Sequence, residues 1–167
     1  MKTKDITFIG ISVSLIITLG YVFYTVGSIF LLPGSKYIFM APFLGFMFCI
    51  VALKVRKRGT IFLVSTIFGF IMMLINIFMS FAIILSGILT DLIGLIFFRQ
   101  YEKKVVYISA IYPLFSLIVS FFVSNYLTGN KLHLMIYNKY SFILAGIITY
   151  ILGLVGSYLG YKLLSRI

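Results

Sequence analysis

Between residue 61 and residue 98 the chain carries a single charged side chain, Asp91. As one helix that stretch would be about 57 Å long, far beyond the ~30 Å hydrocarbon core of a bilayer. Both of its ends are basic, Arg58 on one side and Arg99, Lys103 and Lys104 on the other. Basic loop residues concentrate on the cytoplasmic side, so both ends belong there and the stretch must cross an even number of times. Two short helices are therefore expected, folding back around Asn76 to Ser80 with almost no loop between them. A re-entrant segment at this position would satisfy the same charge count.

The rest of the chain repeats the pattern. Apolar runs occupy residues 6–32, 37–53, 105–124 and 140–161, so that with the folded stretch (61–75 and 80–98) six spans are expected in a single transmembrane domain, 1–167. The first run is too long for the apolar part of a signal peptide and lacks an Ala-x-Ala cleavage site. Pro33-Gly34 marks the turn after it, and Pro113 is expected to kink the fifth run. The apolar residues surround each segment rather than forming one stripe, as in helices bathed in lipid. With 62% hydrophobic and 10% charged residues, this is the composition of an integral membrane protein, not of a soluble domain.

The net charge of +11 sits in short clusters between apolar runs, which argues for loop asymmetry rather than a nucleic-acid surface. Placing both termini in the cytoplasm puts 11 of the 14 basic residues inside and leaves Lys36, Lys131 and Lys139 outside. The fold expected is thus an all-α compact bundle of six transmembrane helices with both ends cytoplasmic. The single cysteine, Cys49, excludes an intrachain disulfide and a thiolate metal cluster.

Few residues offer chemistry. Asp91 lies about two turns before Arg99, in the inner half of the fourth span; a carboxylate there serves either a proton or ion relay or a helix–helix or cytoplasmic-face hydrogen bond, and the lack of a second acid or histidine nearby favours the hydrogen bond. His133 is the only histidine, and one ligand does not make a metal site. Neither an activated serine nor paired acids are evident, so no catalytic activity, cofactor or metal is expected. Three small-xxx-small patterns, Gly10 to Ser14, Ala41 to Gly45 and Gly156 to Gly160, allow helices to approach closely in lipid. The outer segments bring Ser, Asn, Tyr, His and three Lys above an apolar bundle, which suits either a small-molecule pocket between helices or an ordinary interfacial belt.

Two segments carry a resemblance: Leu32-Pro-Gly-Ser-Lys-Tyr-Ile-Phe-Met-Ala-Pro-Phe-Leu44, and Leu85-Ser-Gly-Ile-Leu-Thr-Asp-Leu-Ile-Gly94. With the short basic start, the six spans and the order of loops, the chain resembles the S components of energy-coupling factor (ECF) transporters, and within them the hydrophobic MptD/Trep-Strep-like group. The resemblance implies a bacterial cell-membrane subunit without ATPase activity that captures a vitamin or related micronutrient at the outer face. Its implied partners are a transmembrane scaffold subunit and two cytoplasmic ATPase subunits, and its implied mechanism is reorientation in the membrane to release the ligand inward. Family members use an Ala-xxx-Ala motif in the first helix to meet the scaffold, and Gly10 and Ser14 would stand at those two positions. By location, the implied ligand-binding residues are Lys36, Tyr37, Asn76, Ser80, Asn125, Tyr126, His133 and Tyr140. The competing expectation is a small membrane scaffold or accessory subunit without a ligand of its own.

Overall fold

The computed structural model describes residues 3–30, 34–97, 101–128 and 139–166. These form six α-helices: α1 (Thr3–Ile29), α2 (Ser35–Val55), α3 (Thr60–Met73), α4 (Ile77–Phe97), α5 (Tyr101–Val123) and α6 (Lys139–Leu164). A π-helical turn, Ser124–Thr128, continues α5. Five segments are long and apolar enough to cross a membrane, and α3, at 14 residues, is the short one. The architecture is an all-helical multi-pass membrane bundle.

Each helix runs antiparallel to the one before it. Gly20 of α1 faces Met40 and Phe43 of α2, while Gly27 faces Lys36 and Phe39. Ser65 of α3 lies against Gly87 of α4, and Gly69 against Ile84. Ile108 of α5 covers Gly94 of α4, and Leu114 and Pro113 of α5 meet Gly146 and Gly153 of α6. Six alternating helices bring both termini to one end, here the near end. Asp5 and Lys57 confirm the juxtaposition there, with a carboxylate–ammonium distance of 3.7 Å between α1 and the α2–α3 turn.

Helix α2 is the hub, touching α1, α3, α5 and α6. Lipid offers no hydrophobic drive for helices to associate, so close packing of small residues must do it. Along α2 and α6 the backbones nearly touch. A Cβ at Gly45 would overlap the Gly153 carbonyl, one at Gly156 would overlap the Pro42 carbonyl, and one at Gly160 would come within 2.9 Å of the Phe46 carbonyl. The Ser157 hydroxyl donates to the Gly45 carbonyl at 3.1 Å across this seam. Pro113, the expected kink in α5, sets its ring against Gly153 on the other side of α6. Behind the seam, the Phe48 and Tyr112 rings meet with centroids 3.9 Å apart, in a core that extends to Ile9, Val13 and Ile16 of α1.

The folded-back stretch turns slightly earlier than expected. α3 ends at Met73, and the turn lies at Leu74 to Asn76 rather than at Asn76 to Ser80. The reason is the capping chemistry of Asn76. Its side-chain oxygen accepts from the N–H groups of Phe78 at 2.8 Å and Met79 at 3.3 Å, which starts α4 at Ile77 and leaves Ser80 within its first turn. At the other end of the hairpin, Gly59 and Arg56 both adopt the left-handed conformation, with φ of 83° and 52°. They pinch the basic turn between α2 and α3 into four residues.

Candidate functional site

The far end of the bundle, opposite the termini, holds a polar cluster. It is built on the α1–α2 corner. Gly34, at φ 80°, opens α2 in a conformation that an L side chain resists. The buried Ser35 hydroxyl then donates to the Gly27 carbonyl at 2.7 Å and reaches the Phe30 carbonyl at 3.1 Å, tying the end of α1 to the start of α2. Phe30 stacks on Phe39, and Phe23 on Phe43, with centroids 4.8 and 5.1 Å apart. These two stacks and the Ser35 bonds fix the corner on both sides.

From that rigid corner Lys36 reaches back over α1. Its ammonium donates to the Tyr24 hydroxyl at 3.1 Å and lies 4.5 Å from the centre of the Tyr24 ring, a cation–π contact. Tyr37, the next residue, points across the bundle toward the Ser120 side chain of α5. Tyr24, Lys36, Tyr37 and Ser120 therefore form one cluster drawn from three helices. It presents a half-exposed positive charge and hydroxyl groups above an aromatic wall. Such a set can hold an anionic or hydrogen-bonding group of a small molecule.

The other expected site residues divide. Asn125 is half-buried in the π-helical turn, and Tyr126 is exposed there with its ring stacked on Phe122 at 6.0 Å. Tyr140 is exposed in the first turn of α6, two residues before Phe142, which packs on Phe121 of α5 at 5.0 Å. Asn76 serves as the cap of α4, and Ser80 is buried against α3, where its carbonyl lies 3.3 Å from the Cβ position of Gly69. Both have a structural task in the hairpin. His133 lies outside the described residues. Tyr24 and Ser120 were missed by sequence reasoning. Tyr24 had a signal, since it mirrors Lys36 across the Pro33-Gly34 turn. Ser120 had none that set it apart from other hydroxyls in apolar helices.

The three small-residue patterns also divide. Gly45, Gly156 and Gly160 are consumed in the α2–α6 seam, and Ala41 is buried. Gly10 and Ser14 lie instead on the exposed face of α1; a Cβ at Gly10 would meet no atom within 4 Å, and the Ser14 hydroxyl turns back to the Gly10 carbonyl at 3.1 Å. Asp91, finally, is buried and accepts a hydrogen bond from the backbone N–H of Phe62, in the first turn of α3. It is a helix–helix hydrogen bond of the kind its isolation in the sequence favoured.

Comparison with protein-family models, with curated proteins and with solved structures finds no match to this chain.

Proposed function

We infer that the chain is the substrate-binding subunit of an ECF-type importer in a bacterial cell membrane, with both termini cytoplasmic. The observation that carries this reading is the division of labour on α1. Its Ile9, Val13 and Ile16 face the core, whereas Gly10 and Ser14 face outward and leave room for a helix of another subunit to come close. The partner would be a transmembrane scaffold subunit linked to two cytoplasmic ATPases. The orientation rests on the charge count, which assigns 11 basic residues of the sequence to the cytoplasmic side and three to the other.

In this reading a vitamin or related micronutrient binds at the outer face beside Lys36 and Tyr37, with Tyr24 and Ser120 added to the expected set. Asn125, Tyr126, Tyr140 and His133 remain proposed contributors from the segments that follow α5. ATP hydrolysis in the partners would drive reorientation of the loaded subunit and inward release.

Two measurements test it together. Small molecules released from detergent-purified protein are identified by mass spectrometry, and the partners are identified by pull-down. A retained micronutrient with a co-purifying ATPase pair supports the proposal; empty protein without an ATPase partner overturns it. Gly10→Leu combined with Ser14→Leu should abolish complex assembly and leave ligand retention intact.

One observation favours a second reading, a membrane scaffold without a ligand. The far-end cation is already satisfied within the chain, since the Lys36 ammonium donates to the Tyr24 hydroxyl. A partner recovered without any bound small molecule would select it.

A further inference from the structure

At the near end, four of the five residues from 54 to 58 are basic: Lys54, Arg56, Lys57 and Arg58, all exposed. The turn that carries them is held by its own hydrogen bonds. The Arg56 N–H donates to the Ala52 carbonyl at 3.0 Å, and the Thr60 hydroxyl donates to the Lys57 carbonyl at 2.6 Å. The Leu63 N–H then closes the first turn of α3 on the Gly59 carbonyl at 3.0 Å. Asp5 ties the start of α1 to this turn through Lys57, at 3.7 Å, and so brings the exposed Lys4 to the same corner.

Charge does not balance at this corner. Five cations stand against two acids, of which Asp5 is engaged with Lys57 and Asp91 is buried on the Phe62 N–H. Three positive charges are left in excess on a fixed and exposed surface.

Apolar side chains begin directly beside the charges. Ile6 follows Asp5 on α1 and is 57% exposed, and Phe62 lies in the first turn of α3 and is 40% exposed. In a membrane-spanning bundle these two side chains face hydrocarbon, which puts the cations at headgroup depth. Lysine and arginine at that depth lay their stems on apolar surface and extend their charged ends to the phosphate layer. A soluble anion would meet the cations alone. A phospholipid meets both layers at once.

We propose that this corner binds an anionic phospholipid, with its phosphate among Lys4, Lys54, Arg56 and Lys57 and its acyl chains against Ile6 and Phe62. Net headgroup charge is what the corner selects. Phosphatidylglycerol offers an uncompensated phosphate, whereas phosphatidylcholine carries the same phosphate with a choline cation that the excess positive charge repels. Each cation beside an anionic membrane surface strengthens binding by about fivefold. The hydrogen-bonded turn loses little freedom when a headgroup arrives, so little of that gain is spent on ordering it. None of this depends on the transport reading.

The test is a titration of the purified protein, in a neutral maltoside detergent, with phosphatidylglycerol. The rise in melting temperature gives an apparent affinity, because a ligand of the folded state stabilises it by mass action. Phosphatidylcholine at the same mole fraction should shift the midpoint far less. Lys54→Gln combined with Arg56→Gln should weaken the affinity for phosphatidylglycerol by roughly 25-fold. Both side chains are exposed, and the melting temperature without lipid checks that the fold is kept. The charge-preserving pair Lys54→Arg with Arg56→Lys should bind as the unaltered protein does. Lys162→Gln with Arg166→Gln removes equal charge from the end of α6 and should change the affinity by no more than about twofold, since screening confines the effect of distant charges. Native mass spectrometry of the unaltered protein should show phosphatidylglycerol retained over phosphatidylcholine from an equal mixture. Equal stabilisation by the two lipids overturns the proposal. Equal losses in the two glutamine pairs overturn it as well, because they would mean a diffuse field and no site. Inorganic phosphate that stabilises the protein as much as phosphatidylglycerol, and displaces it, would replace the lipid by a free anion and overturn it too.

Discussion

The Asp91 carboxylate of α4 accepts a hydrogen bond from the backbone N–H of Phe62 at 2.6 Å, and so caps the first turn of a helix that is not its own. The need for such a cap is set by Gly59. It precedes α3 and has no side chain to satisfy the free N–H groups that every helix start exposes. Thr60 does not help, because its hydroxyl is spent on the Lys57 carbonyl at 2.6 Å. The carboxylate is also attracted to the positive end of the α3 dipole.

Replacing Asp91 therefore separates capping from proton transfer. Asp91→Ala leaves the Phe62 N–H without this acceptor in a buried site and should destabilise the bundle by about 1–3 kcal/mol. Asp91→Asn keeps an acceptor and should recover much of that loss. Thermal unfolding of the purified protein in detergent reads both variants. Equal destabilisation by the two would show that the charge matters more than the hydrogen bond.

The glycines of α1 and α6 give opposite expectations for the same substitution. Gly156→Ala drives a methyl into the Pro42 carbonyl, and the α2–α6 seam must open, at a cost of about 1–3 kcal/mol. Gly10→Ala meets open space and removes a flexible residue from mid-helix, so the isolated subunit should gain up to about 1 kcal/mol. Melting temperatures in one detergent should move in opposite directions. A fall of similar size for both would place Gly10 inside a packed contact.

The turn between α2 and α3 holds Arg56 at φ 52°, where it ends α2 with its N–H on the Ala52 carbonyl at 3.0 Å. A side chain in this left-handed conformation is strained, and glycine is not. Arg56→Gly should stabilise the fold by about 1 kcal/mol. Gly59→Ala, at φ 83°, should destabilise it by a similar amount. Both follow from denaturant or thermal midpoints in detergent.

Much of this structure is legible in the residues, and the illegible part has a common cause. Charge placed the spans: basic clusters flanking residues 61–98 require a fold-back, and the hairpin is there. Asn76 could be seen as polar, but not that its oxygen would cap α4 and draw the turn two residues earlier. The small-xxx-small patterns say that a helix face allows close approach without saying which neighbour uses it. Gly156 is filled from Pro42, whereas Gly10 is open, although the two motifs read alike. In an apolar helix the surrounding sequence does not mark which hydroxyls cross to another helix. Ser120 reaches Tyr37, while Ser86 and Thr90 bond their own preceding turns at 2.7 Å.

That last contrast can be measured. The Tyr37 hydroxyl faces the Ser120 side chain between α2 and α5 at the far end, whereas the Thr90 hydroxyl bonds along α4, to the Ser86 carbonyl. Removing one partner by Tyr37→Phe or Ser120→Ala leaves the other to find a substitute, so each single variant should cost little. The double variant should cost less than the sum of the two, with a coupling of about 0.6 kcal/mol, typical of such pairs in membrane proteins. Thr90→Val against Tyr37→Phe should show no coupling. The same variants bear on the proposed site, because Tyr37→Phe frees Ser120 and alters the cluster beside Lys36 without touching the corner that positions it. A loss of small-molecule retention in Tyr37→Phe, at unchanged melting temperature, would assign the hydroxyl to the ligand. Unchanged retention with measurable coupling would assign it to the α2–α5 contact alone.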